Sequence, residues 1–354
     1  VTKKIFWIIT IVTAGLSLLL FFLPYISPAQ LPISAYAFIL IPVVVFVNII
    51  LLLLWTCFRP YKALLPLLIL FFAFPYLTRT VAIHPGQEEG GDFKVLSYNV
   101  RVFNVYSHLQ DEQQKSSRKM IDWIINNDAA IKCFQEFYNN DTAKIFCSIK
   151  KIKEKMPYYY FTPFHVDNGN GSYGMALFSR YPIIRKGIIR FKEKSNNQVI
   201  YADIKLGKDT LRIFNMHLQS LNITEKNIIE ARLEELDKDD LKILLKIIKE
   251  AAVKRSRQIE LVDNYIKESP YKVIICGDLN DTPYSYCYQK LSGQLNNAFE
   301  KAGNGLGFTY RSKAPLRIDN EFADKRFVIK DFKVYNNISY SDHYPIEASF
   351  SIKN

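Results

Sequence analysis

The sequence predicts apolar membrane helices followed by an α/β domain built on a mixed sheet, or on two packed sheets flanked by helices. Three observations predict it. Charge is segregated: residues 1–83 hold no Asp or Glu, while 41 of the 46 bases and all 34 acids lie beyond them. From residue 93 onward, strand-like and helix-like patterns interleave, with several strands separated by hairpin-length gaps. Finally, one hydrophobic strand after another ends in an acid, an amide or an imidazole.

The average composition, 49% hydrophobic and 23% charged, resembles that of a soluble protein. Segregation overrides the average and excludes a fully soluble protein, a disordered chain and a disulfide-stapled mini-domain. Residues 5–23 and 31–58 are uncharged runs, with Asn48 the one strongly polar side chain of the second. A helix needs about 20 apolar residues to cross the hydrocarbon core. Residues 63–77 form a third run, extendable to Ile83 if Arg79 snorkels, and Pro66 and Pro75 are tolerable in a membrane helix. No small-residue cleavage site stands out and a longer span follows, so the first run reads as a span rather than a cleaved leader. Lys3, Lys4, Arg59 and Lys62 put the N-terminus and the second loop in the cytoplasm. Three crossings then deliver the rest to the far side, the periplasm in a Gram-negative cell. Two crossings would leave it cytoplasmic. The expected organisation is a membrane anchor over 1–83, a polar glycine-rich linker over 84–92 and a catalytic domain over 93–354.

In that domain, residues 93–98, 130–134, 158–162, 175–179, 199–205, 211–216, 272–276, 327–334 and 346–352 read as strands. Residues 112–126, 145–155 and 284–291 read as helices, and 224–268 as a long charged helix with a leucine stripe. The four cysteines here are widely spaced, with no Cys-x-x-Cys, which argues against zinc; Cys133 and Cys276 read as buried packing. A surplus of seven bases over acids suits an anionic substrate or surface, or simply a solvated face.

The strand tips carry the chemistry. Strands end at Asn99, Glu136, His217 and Asp278, with Asn280 just beyond; Leu316-Arg317-Ile318 leads to Asp319, and Ser341 precedes Asp342 and His343. Any one alone reads as a turn or cap. Together they supply hard oxygen ligands suited to Mg²⁺ or Mn²⁺ and two histidines for proton transfer. That set, without a Ser or Cys nucleophile, points to metal-assisted attack of water on a phosphate ester.

The same residues resemble the endonuclease/exonuclease/phosphatase superfamily, which includes deoxyribonuclease I, neutral sphingomyelinases and inositol polyphosphate phosphatases. Ser97-Tyr98-Asn99, Gln135-Glu136, Tyr173-Gly174-Met175-Ala176 with Ser179-Arg180-Tyr181-Pro182, Asn215-Met216-His217-Leu218, Gly277-Asp278-Leu279-Asn280 and Ser341-Asp342-His343 match its motifs in order. The resemblance covers residues 92–354 and implies a four-layer α/β sandwich of the deoxyribonuclease I type. It implies Mg²⁺ (or Mn²⁺) on Glu136, with Asn99 and Asp342 nearby. His343 would bond the scissile phosphate or act as base, Asp278 would orient or deprotonate water, Asn280 would hold a phosphate oxygen, and His217 would stabilise the transition state or protonate the leaving group. Asp319 would orient a histidine, and Tyr173 and Arg180 would contact substrate. One departure is visible: after Arg317-Ile318-Asp319 the family has Tyr and an aliphatic residue, and here Asn320 and Glu321 follow.

Fold does not set substrate. A phosphodiesterase of the endonuclease type leads. Sphingomyelinase-like or inositol-phosphate activity at the membrane, or a catalytically inactive binding module on the same fold, are the alternatives. The partner is a nucleic acid, a phospholipid head group or a small phosphoester; the anchor sits in the inner membrane, and no obligate protein partner is expected.

Overall fold

The computed structural model describes residues 2–84, 90–106, 109–167, 169–192, 197–220 and 238–353. They form two compact units. The first comprises residues 2–80, 220, 238–257 and 282–290, and the second residues 81–219, 258–281 and 291–353, within those described.

In the first unit, helices α1 (Thr2–Phe21) and α2 (Ala37–Phe58) are each long and apolar enough to cross a membrane. Their polarity is inverted relative to a water-soluble pair. Thr10, Ser17 and Asn48 are buried, whereas Ile8, Val12, Leu19, Phe46 and Leu53 are exposed. The buried polar groups bond across the pair: Asn48 Nδ2 donates to Ser17 Oγ at 2.8 Å and Trp55 Nε1 to Thr10 Oγ1 at 2.9 Å. Small polar residues at a helix–helix contact are what packing in lipid favours. The third apolar run differs from the expected single helix. It breaks into α3 (Leu64–Phe72) and α4 (Phe74–Thr80), bent by 59°. Pro75 supplies the reason, since it donates no N–H and its ring crowds the carbonyl four residues back.

The second unit is a sandwich of two six-stranded sheets. The strands are β1 (Phe93–Asn99), β2 (Ile131–Asn139), β3 (Tyr158–Val166), β4 (Ser172–Ser179), β5 (Ile183–Ile189), β6 (Gln198–Leu206), β7 (Asp209–His217), β8 (Lys272–Asp278), β9 (Asn296–Asn297), β10 (Asp319–Ala323), β11 (Phe327–Val334) and β12 (Ile346–Ile352). One sheet has the order β11-β12-β1-β2-β4-β3 and the other β5-β6-β7-β8-β10-β9. Each sheet has one parallel pair at its centre, β1 with β2 and β7 with β8, flanked by antiparallel neighbours.

Alternation along the strands builds the layers. Val95, Ile131, Cys133, Leu177, Ile213 and Ile274 face the core between the sheets. Leu96, Tyr98, Phe134 and Phe178 point the other way, onto Met120, Ile121 and Ile124 of α5 (Lys115–Asn126) and Ile152 of α6 (Ser148–Lys153). On the second sheet, Tyr201 lies 6.3 Å from Tyr265 of α7 (Lys238–Lys267), which buries Ile259 and Val262. The four-layer sandwich expected from sequence is therefore present. The short helices α8 (Tyr286–Ser292) and α9 (Ala298–Ala302) complete the described α-helices. Residues 224–237 of the expected long helix, and 85–89 of the expected linker, lie outside the described residues. The aromatic run at 158–164 lies on the edge strand β3, with Tyr158 exposed, Tyr160, Phe161 and Phe164 half-buried, and Tyr159 stacked on Phe178 at 5.8 Å. No disulfide is formed by the five cysteines, and Cys133 and Cys276 are buried.

Glu321 is the sequence departure made structural. It lies opposite Cys276 in the β8–β10 ladder and is fully buried, and neither carboxyl oxygen has a hydrogen bond of good geometry, the Ala348 N–H only partly offsetting the burial. Burial, with Cys276 and Glu347 nearby, holds its pKa well above the ordinary carboxylate range. An acid with a raised folded pKa loses stability as pH rises above the unfolded carboxylate value. Glu321→Leu should therefore raise stability by about 1–3 kcal/mol, the cost of an unsatisfied buried polar group. The gain should be larger at pH 8 than at pH 5 in thermal melts of the full chain; a lower melting temperature at both would refute it.

Candidate active site

Parallel pairs bring strand tips together. In the β1–β2 pair Asn99 lies opposite Gln135, and in the β7–β8 pair His217 lies opposite Asp278. The two pairs face each other across the sandwich, and a buried amide bridge fixes them. Gln135 Nε2 donates to Asn215 Oδ1 at 2.7 Å, and Asn215 Nδ2 donates to Phe134 O and Ala176 O at 3.0 and 2.9 Å. Two local devices then aim the side chains. A bulge in β2 between Phe134 and Phe137 puts Glu136 at φ 51°, so the strand runs on to Asn139 rather than ending at Glu136. Gly277 adopts φ 137°, where a Cβ would lie 2.0 Å from Met216 O, so only glycine lets β8 turn Asp278 inward this close to β7.

Asp278 Oδ2 is the hub. Asn99 Nδ2 donates to it at 3.2 Å, and Nε2 of His217 and of His343 lie 3.7 and 3.8 Å away. Glu136 Oε1 stands 3.5 Å from Asn99 Nδ2 and 3.9 Å from His217 Nε2. Asp319 Oδ2 accepts from His343 Nδ1 at 2.8 Å. Asp319 starts β10 instead of ending a strand, as its sequence context suggested, because antiparallel pairing sets the head of β10 against the tail of β8. Thr309 Oγ1 accepts from the N–H of Ile318 and of Asp319, at 3.1 and 3.0 Å, fixing that corner. Ser341 Oγ donates to Asn99 O at 2.8 Å and so ties the Asp342–His343 loop to β1. Asn280 sits at φ 48°, its N–H bonded to Asp278 Oδ1 at 2.7 Å and its Nδ2 to Leu218 O at 3.1 Å.

Charge follows from this packing. Burial and the neighbouring Asp319 raise the Asp278 pKa; His343, His217 and the Asn280 N–H pull against that rise. Burial disfavours a charged His343, but the Asp319 and Asp278 carboxylates outweigh it and lift its pKa to about 10. Both ring nitrogens of His217, and Asp319 Oδ1, are buried without a hydrogen-bond partner. Asp278, Asp319 and His343 offer ligand atoms all within 4.8 Å of one another, a grouping that could hold a metal ion. Glu136 and Asp342 are the open carboxylates, with side chains 34% and 22% exposed.

Asn99, Glu136, His217, Asp278, Asp319 and His343 are thus brought into one cluster, with Asn280 bonded at its edge. Asp342 faces Arg101, 3.5 Å from its Nε. Burial raises the Tyr173 pKa, with Tyr106 and, least, Glu136 adding to it. Arg180 is not brought to the cluster. Its N–H bonds Ala130 O at 2.9 Å, at the other end of β2, roughly 20 Å along the strand from Glu136. Sequence reading missed Arg101 and Tyr106. Burial raises the Tyr106 pKa, and Asp167 and Glu136 add to the rise. Neither residue lies at a strand tip, so nothing in the hydrophobic pattern marks them.

Comparisons with known proteins agree with this geometry. An endonuclease/exonuclease/phosphatase from Beutenbergia cavernae DSM 12333 superposes with a TM-score of 0.55 at 13% identity, over 74% of this chain and 72% of that one. An endonuclease/exonuclease/phosphatase family protein from Leptotrichia buccalis C-1013-b matches at 0.52 and 17%, over 73% of this chain and 100% of that one. Sphingomyelinase C from Streptomyces griseocarneus matches at 0.54 and 18%, over 74% and 99%. At these identities the likeness is one of fold. No curated protein sequence matches the chain. Residues 3–80 match a domain of unknown function (DUF8431). Residues 96–343, most of the chain and every residue of the cluster, match the family described as endonuclease/exonuclease/phosphatase. The chain belongs to the endonuclease/exonuclease/phosphatase family.

Proposed function

We propose that the chain is a membrane-anchored, Mg²⁺-dependent phosphodiester hydrolase. The observation that carries this reading is the convergence of two histidines and three carboxylates on Asp278 Oδ2 and its neighbours. The family membership makes it a phosphoesterase, and the cluster supplies the parts for metal-assisted hydrolysis.

Mg²⁺ is bound through one or two carboxylates and keeps several waters. The half-open Glu136 carboxylate fits that demand, with Asn99 beside it and Asp342, on the loop that Ser341 ties to β1, as the further ligand the motif implies. The buried group of Asp278, Asp319 and His343 fits it less well, because the hydrogen bond to His343 already occupies Asp319 Oδ2. When bound, the ion would polarise a phosphoryl oxygen. The other roles belong to the chain. Asp278, its pKa raised, orients the attacking water and accepts its proton. His343, held by Asp319, donates to a phosphoryl oxygen. His217, with both ring nitrogens unpartnered, stabilises charge on the pentacovalent phosphorus or protonates the leaving oxygen. Asn280 holds a phosphate oxygen, and Tyr173 flanks the Glu136 side. Arg180 has no place in this scheme.

The apolar helices favour a second reading within the class, in which the phosphoester is a lipid head group met at the membrane. In either case residues 1–83 anchor the chain, 84–92 link, and 93–354 catalyse. The flanking bases put the catalytic domain outside the cytoplasm when the bent third segment crosses.

Purified full-length protein in detergent would be tested on bis(p-nitrophenyl) phosphate, plasmid DNA, RNA, sphingomyelin vesicles and inositol phosphates, each with Mg²⁺ and with EDTA. Turnover of one class, reduced at least about tenfold by chelation, is expected for a metal-assisted step. A folded protein that turns over none of them and binds no Mg²⁺ in a titration would be a binding module instead.

A further inference from the structure

We propose that one face of the catalytic unit, formed by residues 81–84 and the loop 303–316, rests on the lipid surface of the membrane. The inference rests on the reading of the N-terminal helices as membrane spans.

Three independent features carry it. The first is attachment. Residues 81–84 follow the last apolar helix directly in sequence, and they are fastened to the catalytic unit rather than left as a tether. Ala82 and Gly305 exchange backbone hydrogen bonds at 3.0 and 2.9 Å. The N–H of His84 donates to Asn304 Oδ1, and His84 Nδ1 to Gly303 O, both at 2.8 Å. A chain leaving a bilayer at residue 80 and pinned to this loop two residues later leaves under about 10 Å of slack, at no more than 3.6 Å per residue. The loop is thereby confined to the interface.

The second feature is apolar exposure on that same face. Ile83 is 78% exposed, Leu306 46% and Phe308 40%, and Val81 and Leu316 are exposed beside them. Isolated exposed apolar side chains are ordinary, but a group of five around one fixed loop marks an apolar contact surface. The loop is not a loose excursion. Gly307 sits at φ 61° against the Phe299 ring, where a Cβ would lie 2.3 Å from Cε2, and the Arg317 guanidinium covers that ring at 4.1 Å.

The third feature is charge. A recess of about 860 Å³ opens in this face, lined among others by Phe299, Phe308 and Phe332, and its lining includes Arg311 and Lys333 but no Asp or Glu. Apolar side chains flanked by cations suit the head-group and acyl boundary of an anionic leaflet. The face is coupled to the catalytic cluster through Tyr310, which lines the recess while its ring stands 5.1 Å from that of His343.

The test uses the full chain in nanodiscs of phosphatidylcholine and phosphatidylglycerol, with Cys57 and Cys147 replaced by serine. Single cysteines at Ile83, Leu306, Phe308, Ile184 and Leu53 would each carry a fluorophore. All five positions are exposed, so labelling spares the core. Quenching by a doxyl-bearing lipid at Leu306 and Phe308, at least twofold above that at Ile184 and approaching that at Leu53, is the expected result. Labels at Leu306 and Phe308 that match Ile184, with Leu53 still quenched, would overturn the docking face alone. An unquenched Leu53 would overturn the spanning reading beneath it.

Discussion

His343→Ala is expected to lower kcat for phosphodiester hydrolysis by about 10²–10⁴-fold, the range for a lost proton-transfer or hydrogen-bonding group, with KM changed far less. Asp319→Asn should lower kcat less and should also change its pH dependence. The reason lies in the 2.8 Å bond between Asp319 and His343 Nδ1. Burial opposes a charge on His343, and Asp319 is the leading group that restores it, lifting the pKa to about 10. A histidine with a raised pKa stays protonated through neutrality and loses its proton only as pH rises through the raised value. In the proposed mechanism a His343 that keeps its proton at neutral pH serves as the donor rather than as the general base. With asparagine at 319 the imidazolium loses its main counter-charge, its pKa falls, and the alkaline limb of the kcat profile moves to lower pH. A limb that stays in place in Asp319→Asn would remove His343 from the donor role. Thermal melts of both variants separate this from loss of fold.

Much of the site was legible because parallel pairing converts chain order into proximity. Asn99, His217 and Asp278 each close a run of Val, Ile, Leu and Phe, and a run of that kind leaves its last polar residue at the sheet edge. Glu136 was legible as a residue type but not as a geometry. The bulge that turns it leaves Phe134 and Phe137 on one face, 5.6 Å apart and both against Phe178, and no local residue announces it. Asp319 was read at a strand end and stands at a strand start, since Leu316-Arg317-Ile318 is apolar enough to imitate a strand. Arg180 had a motif but no position: its neighbours in sequence follow β4 away from the cluster. The break at Ala73 was hidden for a related reason, because Pro66 and Pro75 look alike in sequence and only packing shows which one bends the segment. The bridge from Gln135 to Asn215 could not be read at all, since it joins residues 80 apart through the middle of the sandwich.

The largest stability effect is expected well away from the cluster, at Arg212. Its guanidinium forks onto Asp203, with Nε to Oδ1 at 2.7 Å and Nη2 to Oδ2 at 2.8 Å. The two are direct partners in the β6–β7 ladder, with side chains only 6% and 1% exposed, and the Tyr201 ring lies 4.6 Å from the guanidinium. Arg212→Met keeps the length and apolar stem of the side chain but leaves the Asp203 carboxylate buried without its partner. Breaking such a pair costs about 3–5 kcal/mol, because an uncompensated charge remains inside. Removing both charges avoids that penalty, so Asp203→Leu combined with Arg212→Met should recover most of the loss. Denaturant unfolding of the single and double variants measures both. A single variant within about 1 kcal/mol of wild type would mean that water reaches Asp203, as at an exposed pair. The consequence extends to the site, since β7 carries Arg212 and His217 five residues apart on one strand. If the pair only stabilises the sheet, the double variant keeps full kcat. If it also sets the pitch of β7, kcat falls while stability returns, and His217 is the residue whose position has changed.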